Sequence, residues 1–167
     1  MLELGRNEEA AEVLHRIERQ LETERETLVH EIPVQCLRAA LLHARGDLVT
    51  ARHELALGIR ELEDEWGGDH GMLFEPLRKA GRIEIELGEH HRAAAHLERA
   101  LAIAERSDFS LASKARARLQ LANAQKLMGA PESGFRQATR ARYELLGDPD
   151  RREGELDAFD EMLSSFD

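Results

Sequence analysis

Eight histidines and one cysteine are the residues of this 167-residue sequence best suited to metal or nucleophile chemistry, and their spacing argues against both. His90, His91 and His96 are clustered, but helical residues five or six apart point to different sides. The sequence has no His-Glu-x-x-His spacing and no second cysteine to complete a zinc set. These histidines are expected to face solvent or lie in loops, with no metal and no other cofactor bound. Nucleophilic catalysis needs a serine or cysteine beside a placed base, and the serines fall in loops or at the tail without such surroundings. Acid pairs are abundant, yet a run of glutamates on a helical face is a solvated surface. There is no glycine-rich phosphate loop. The chemistry points away from an enzyme.

Charge points away from two further classes. The formal net charge of -10 opposes a general attraction to nucleic acid or to an anionic membrane surface. No apolar run approaches the roughly 18 residues that span a bilayer, and no signal-like segment opens the sequence, so a cytoplasmic protein is expected. Cys36 alone cannot form an internal disulfide, which fits a reducing compartment. The charge is uneven. Lys114, Arg116, Arg118, Lys126, Arg136, Arg140 and Arg142 face only Asp108, Glu132 and Glu144, so a basic zone lies between acidic ends.

The elements that position these residues are helices. Ala, Leu, Glu and Arg dominate, and aromatics make up only 4%, a mixture that suits helices and starves strands. Internal periodicity then organises the chain. Leu4-Gly5 to Ala10, Arg45-Gly46 to Ala51, Leu87-Gly88 to Ala93 and Met128-Gly129 to Gly134 align without gaps, their glycines 41, 42 and 41 residues apart. Each glycine ends one amphipathic run, and five residues later a small residue (Ala10, Ala51, Ala93 or Gly134) stands near the start of the next. That is a helical hairpin written four times, with Gly closing the first helix and the small residue letting the second cross it closely. Asp47 is placed to cap the following helix and Pro131 to open another. Pro76 requires its helix to begin near residue 74, because a proline deep in a helix costs about 3 kcal/mol.

In these features the chain resembles tetratricopeptide-repeat (TPR) proteins. The signature positions of the family match Ala39, Gly81 and Ala122 in the first helices. In the second helices they match Ala51, Ala93 and Gly134, then Leu55, Leu97 and Ala138, then Gly58, Ala100 and Ala141. The period exceeds the usual 34 residues and is similar to the kinesin-light-chain type, as is the linker Trp66-Gly67-Gly68-Asp69-His70-Gly71 with the later Arg99-Ala100-Leu101. Gly71 stands where that family has proline, and His70 is expected to act as a turn or capping residue. The stretch from Arg140 to Asp157 resembles the ends of TPR arrays fused to bacterial serine/threonine kinases.

The resemblance implies an all-α, TPR-like superhelical solenoid of antiparallel hairpins in one domain over residues 1–167. Residues 1–30 are expected as the second helix of an incomplete repeat, 31–67, 70–107 and 110–146 as repeats, and 150–167 as a C-terminal capping helix carrying Leu156, Phe159, Leu163 and Phe166. The lone first segment implies either a fragment of a longer protein or pairing with a second copy through that helix.

The resemblance also implies a binding groove lined by the first helices: Pro33, Cys36, Ala40 and His43, then Glu75, Arg78, Arg82 and Ile85, then Arg116, Leu119, Asn123 and Lys126. Among these, Arg78, Arg82, Arg116, Asn123 and Lys126 form the expected site. Arginine and lysine bind carboxylates through charge-assisted bonds, and Asn offers a peptide backbone both donor and acceptor. The expected partner is a protein or peptide with an acidic or C-terminal segment, and the expected function is an interaction scaffold within a larger regulatory or signalling protein. A ligand-sensing module and a self-assembling unit are the alternatives.

Overall fold

The computed structural model describes residues 33–149, 154 and 156–166; the expected helix in residues 1–30 lies outside them. Seven α-helices occupy the described residues: α1 Val34–Ala44, α2 Leu48–Trp66, α3 Phe74–Glu86, α4 His90–Arg106, α5 Leu111–Leu127, α6 Pro131–Leu146 and α7 Asp157–Ser164. A short 3-10 turn, Gly71–Leu73, leads into α3. Pro76 therefore sits in the first turn of its helix, where its missing N–H costs nothing.

One device ends all three first helices. Gly46, Gly88 and Gly129 take left-handed φ values of 81°, 78° and 85°. The residue after each glycine donates back to the helix, Asp47 N to Leu42 O at 2.9 Å, Glu89 N to Glu84 O at 2.8 Å and Ala130 N to Gln125 O at 2.8 Å. This satisfies carbonyls that the helix end would otherwise orphan. Starts are also locally encoded: Asp47 Oδ1 accepts from Thr50 N, Ser110 Oγ accepts from Ser113 N, and Pro131 opens α6. His70 Nδ1 accepts from Met72 N and caps the 3-10 turn.

Helices α1–α2, α3–α4 and α5–α6 pair as hairpins, and each later first helix also packs on the second helix before it. Small residues set the crossings. A Cβ on Gly81 would stand 2.5 Å from Leu97 Cγ, and one on Gly134 would stand 2.6 Å from the Ala122 carbonyl oxygen. Ala39, Ala51, Ala93, Ala100, Ala122, Ala138 and Ala141 are buried at the other signature positions. A continuous apolar core runs from Cys36 to Ala124, and a smaller cluster of Ala115, Ala141, Leu145 and Phe159 anchors α7. The expected all-α, TPR-like solenoid with a C-terminal capping helix is the fold observed.

Candidate functional site

Between α1 and α3 lies a cleft of about 200 Å³, lined by Ala39, Ala40 and His43 of α1, Leu55 of α2, and Arg78, Lys79, Arg82 and Ile83 of α3. Helix register puts these polar residues together: Arg78 and Arg82 are one turn apart on α3, and His43 reaches them from the last turn of α1. The floor is apolar and the rim is basic.

Two carboxylates temper that rim. Glu75 accepts from Arg78 Nη2 at 2.8 Å, and Glu86 accepts from Arg82 Nε at 3.1 Å and lies 2.9 Å from His43 Nε2. Partial burial pushes the Glu86 carboxyl up, but the hydrogen bonds from His43 and Arg82 outweigh it and hold the group below its ordinary range. Arg78 also reaches Gln120 of α5 through Nη1 at 3.4 Å. Arg82 engages Glu86 through Nε, and its two terminal amino groups have no partner among the described residues. Three permanent cations, Arg78, Lys79 and Arg82, thus share the cleft with two carboxylates.

The other expected site residues lie on α5 and divide. Asn123, half-buried, occupies the register of Arg82 one repeat on. Arg116 is exposed and engaged in a contact of its own. Lys126 is taken up by the C-terminal segment: Nζ donates to the Ser165 carbonyl at 2.5 Å and stands 5.2 Å from the centre of the Phe166 ring. Arg78 and Arg82 are brought together in one cleft; Lys126 works at the end of the array.

Cys36 fits the reading of a small packing residue, although its register placed it on the groove side: it is buried against α2, where Gly58 has no side chain and a Cβ would stand 2.6 Å from Cys36 Sγ. Burial pushes this thiol up to about 11, so it packs as a small apolar group.

His53, His70 and His91 are exposed, as expected of the histidines, and His96 differs. His96 Nδ1 lies 2.7 Å from Oε2 of Glu84, a carboxylate fully buried in α3, and so ties α4 to α3. In the next hairpin Arg118 is buried, donating through Nε to Glu144 at 2.9 Å and through Nη2 to Glu105 at 2.7 Å. The Arg118 hydrogen bond holds the Glu105 carboxyl below its ordinary range. These networks join helices to one another; among the described residues no group of three or more His, Cys, Asp and Glu side chains is gathered as a metal requires. Nor is any described helix long and apolar enough to cross a membrane.

No protein-family model and no curated protein matches the sequence. Among solved structures the chain is similar to the N-terminal domain of stress-induced protein-1 (STI-1) from C. elegans. The TM-score is 0.58 at 12% sequence identity, over 77% of this chain and 91% of that one. At that identity the likeness is one of fold, a TPR-like helical repeat.

Proposed function

We propose that this chain is a protein-interaction scaffold that holds an acidic or C-terminal peptide segment along its first helices, anchored in the cleft at Arg78, Lys79 and Arg82. The observation that carries this reading is the cleft itself, an apolar floor of Ala39, Ala40, Leu55 and Ile83 beneath three cations. An incoming carboxylate meets the terminal amino groups of Arg82 and competes with Glu75 for Arg78, while an adjoining apolar side chain enters the floor. Asn123, in the Arg82 register on α5, is placed to hold the backbone further along. Arg116 extends the basic side, and Lys126 contributes only where the C-terminal segment leaves it.

The similarity in fold to a helical-repeat domain supports a module that binds a protein. The wider setting we assign on the resemblance of the repeats is a cytoplasmic regulatory or signalling protein of bacterial type, with kinesin-light-chain-like repeats. The test is a pull-down from source lysate with the chain as bait, beside a folded Arg78→Glu/Arg82→Glu variant. A partner retained by the original and lost by the variant supports the cleft; a partner held equally by both removes it.

A further inference from the structure

We propose that the acid best matched to the cleft between α1 and α3 is a phosphate ester, carried on a phosphorylated serine or threonine of the partner segment. This inference rests on the reading of that cleft as the anchor for an acidic segment, and it names which acid enters.

The cations are gathered at one point. Counted back from the helix-ending glycines, Arg78, Lys79 and Arg82 occupy the positions of Cys36, Leu37 and Ala40 in α1 and of Leu119, Gln120 and Asn123 in α5. The neighbouring first helices carry no charge at those positions, and all three cations lie within about 6 Å along the axis of α3. An extended run of Asp or Glu spreads its charge, because successive side chains alternate and same-side neighbours stand about 7 Å apart. A phosphate monoester instead places about −1.5 to −2 charges and three acceptor oxygens on one centre at pH 7. The clustered cations match that single centre.

The unengaged donors point the same way. Arg82 gives Nε to Glu86 and keeps both terminal amino groups, and Lys79 has no hydrogen-bond or ion-pair partner among the described residues. Arg78 holds Glu75 through Nε and Nη2 and reaches Gln120 through Nη1 only at 3.4 Å. The Glu75 side chain is 49% exposed on the rim, so it can turn into water, whereas Glu86 is held by both His43 and Arg82. With Glu75 turned out, three cations stand against one carboxylate, an excess of two positive charges that a dianion neutralises. Guanidinium forks engage phosphate oxygens in pairs, and the lysine adds a compact point charge.

Size and net charge select the source of the phosphate. At about 200 Å³ the cleft is smaller than the roughly 300–1,000 Å³ of pockets that enclose free small ligands. It admits the head of one side chain, with an adjoining apolar residue on the floor of Ala39, Ala40, Leu55 and Ile83. The chain's net charge of -10 opposes a phosphorylated lipid surface. A phosphorylated peptide is the remaining carrier.

Fluorescence anisotropy of the full chain tests this with an amidated, labelled seven-residue peptide of Ala, Leu and Gly that has phosphoserine, glutamate or serine at its centre. The phosphoserine peptide is expected to bind at least about tenfold more tightly than the glutamate peptide, and the serine peptide more weakly than either. Lys79→Gln, checked for fold by circular dichroism, is expected to weaken the phosphoserine peptide at least about fivefold and the glutamate peptide by less. Equal binding of the phosphoserine and glutamate peptides overturns this inference and leaves the acidic-segment reading standing; binding of neither overturns both. Inorganic phosphate that competes as strongly as the unlabelled phosphoserine peptide, at constant ionic strength, overturns the peptide as the carrier, as does tighter binding to vesicles containing phosphoinositide.

Discussion

The middle and last hairpins place different chemistry at the same repeat positions. Counted from the helix-ending glycines, Leu77 and Ile103 in the middle hairpin correspond to Arg118 and Glu144 in the last. Leu77 and Ile103 are buried among aliphatic neighbours, whereas Arg118 is buried and hydrogen-bonded to Glu144 and Glu105. Apolar burial is non-directional and tolerates sliding, while an arginine with two carboxylate partners fixes three helices in register. The middle hairpin is thus a hydrophobic platform for the cleft, and the last is an ionic clamp supporting the C-terminal segment.

Breaking the clamp from the carboxylate side should have the largest effect. Glu105→Gln/Glu144→Gln leaves a buried guanidinium without a counter-charge and is expected to lower unfolding free energy by about 3–5 kcal/mol in urea titration. The reverse change, Arg118→Leu/Glu144→Ile, writes the middle hairpin's residues into the last. Replacing a buried ion pair by apolar residues of similar volume often stabilises by about 1–4 kcal/mol, and a higher thermal midpoint is expected here. If that variant unfolds instead, the two hairpins are not interchangeable in packing.

In the middle hairpin the vulnerable point is steric. Gly81→Val drives atoms into Leu97, itself fully buried, and should cost about 1–3 kcal/mol by calorimetry. The smallest effect is in pH dependence. Glu86 and Glu105 have depressed folded values, so each stabilises above the ordinary carboxylate value of about 4.3 and loses that contribution as pH falls through its folded value. Both are substantially exposed, so Glu86→Gln or Glu105→Gln should cost a few tenths of a kcal/mol at pH 7, in the range of surface ion pairs. The difference from the original chain should close below about pH 4.

The fold was legible because its determinants are local. Three left-handed glycines, the caps at Asp47 and Ser110, and the small residues at 39, 81 and 122 each impose their geometry within a few residues or one helix crossing. The site was legible only in part. Register placed Arg78 and Arg82 on one helix face, and pairing with neighbouring glutamates was readable from the i,i+3 and i,i+4 spacings of Glu75 and Glu86; the reach of His43 to Glu86 across two helices was not. Cys36 shared the Arg78 register yet turned inward, because the deciding residue was Gly58, 22 positions away. Lys126 was claimed by Ser165 and Phe166, 39 and 40 positions on, a contact that only the packing of α7 creates. The Glu84–His96 and Arg118–Glu105 pairs also depend on neighbouring helices, though an Arg at the Leu77 position was a readable signal of a buried ion network.

The central claim is that the cleft at Arg78 and Arg82, and not the C-terminal half of the first-helix face, anchors an acidic segment. Fluorescence anisotropy with a labelled Glu-rich hexapeptide bearing a free carboxylate, at low and physiological salt, tests it on the original chain, Arg78→Glu/Arg82→Glu and Lys126→Glu. The account predicts salt-sensitive binding that falls at least about tenfold in the double variant, a loss near 1.4 kcal/mol, and changes less than about threefold in Lys126→Glu. Equal binding by the original and the double variant, or loss in Lys126→Glu alone, would contradict it.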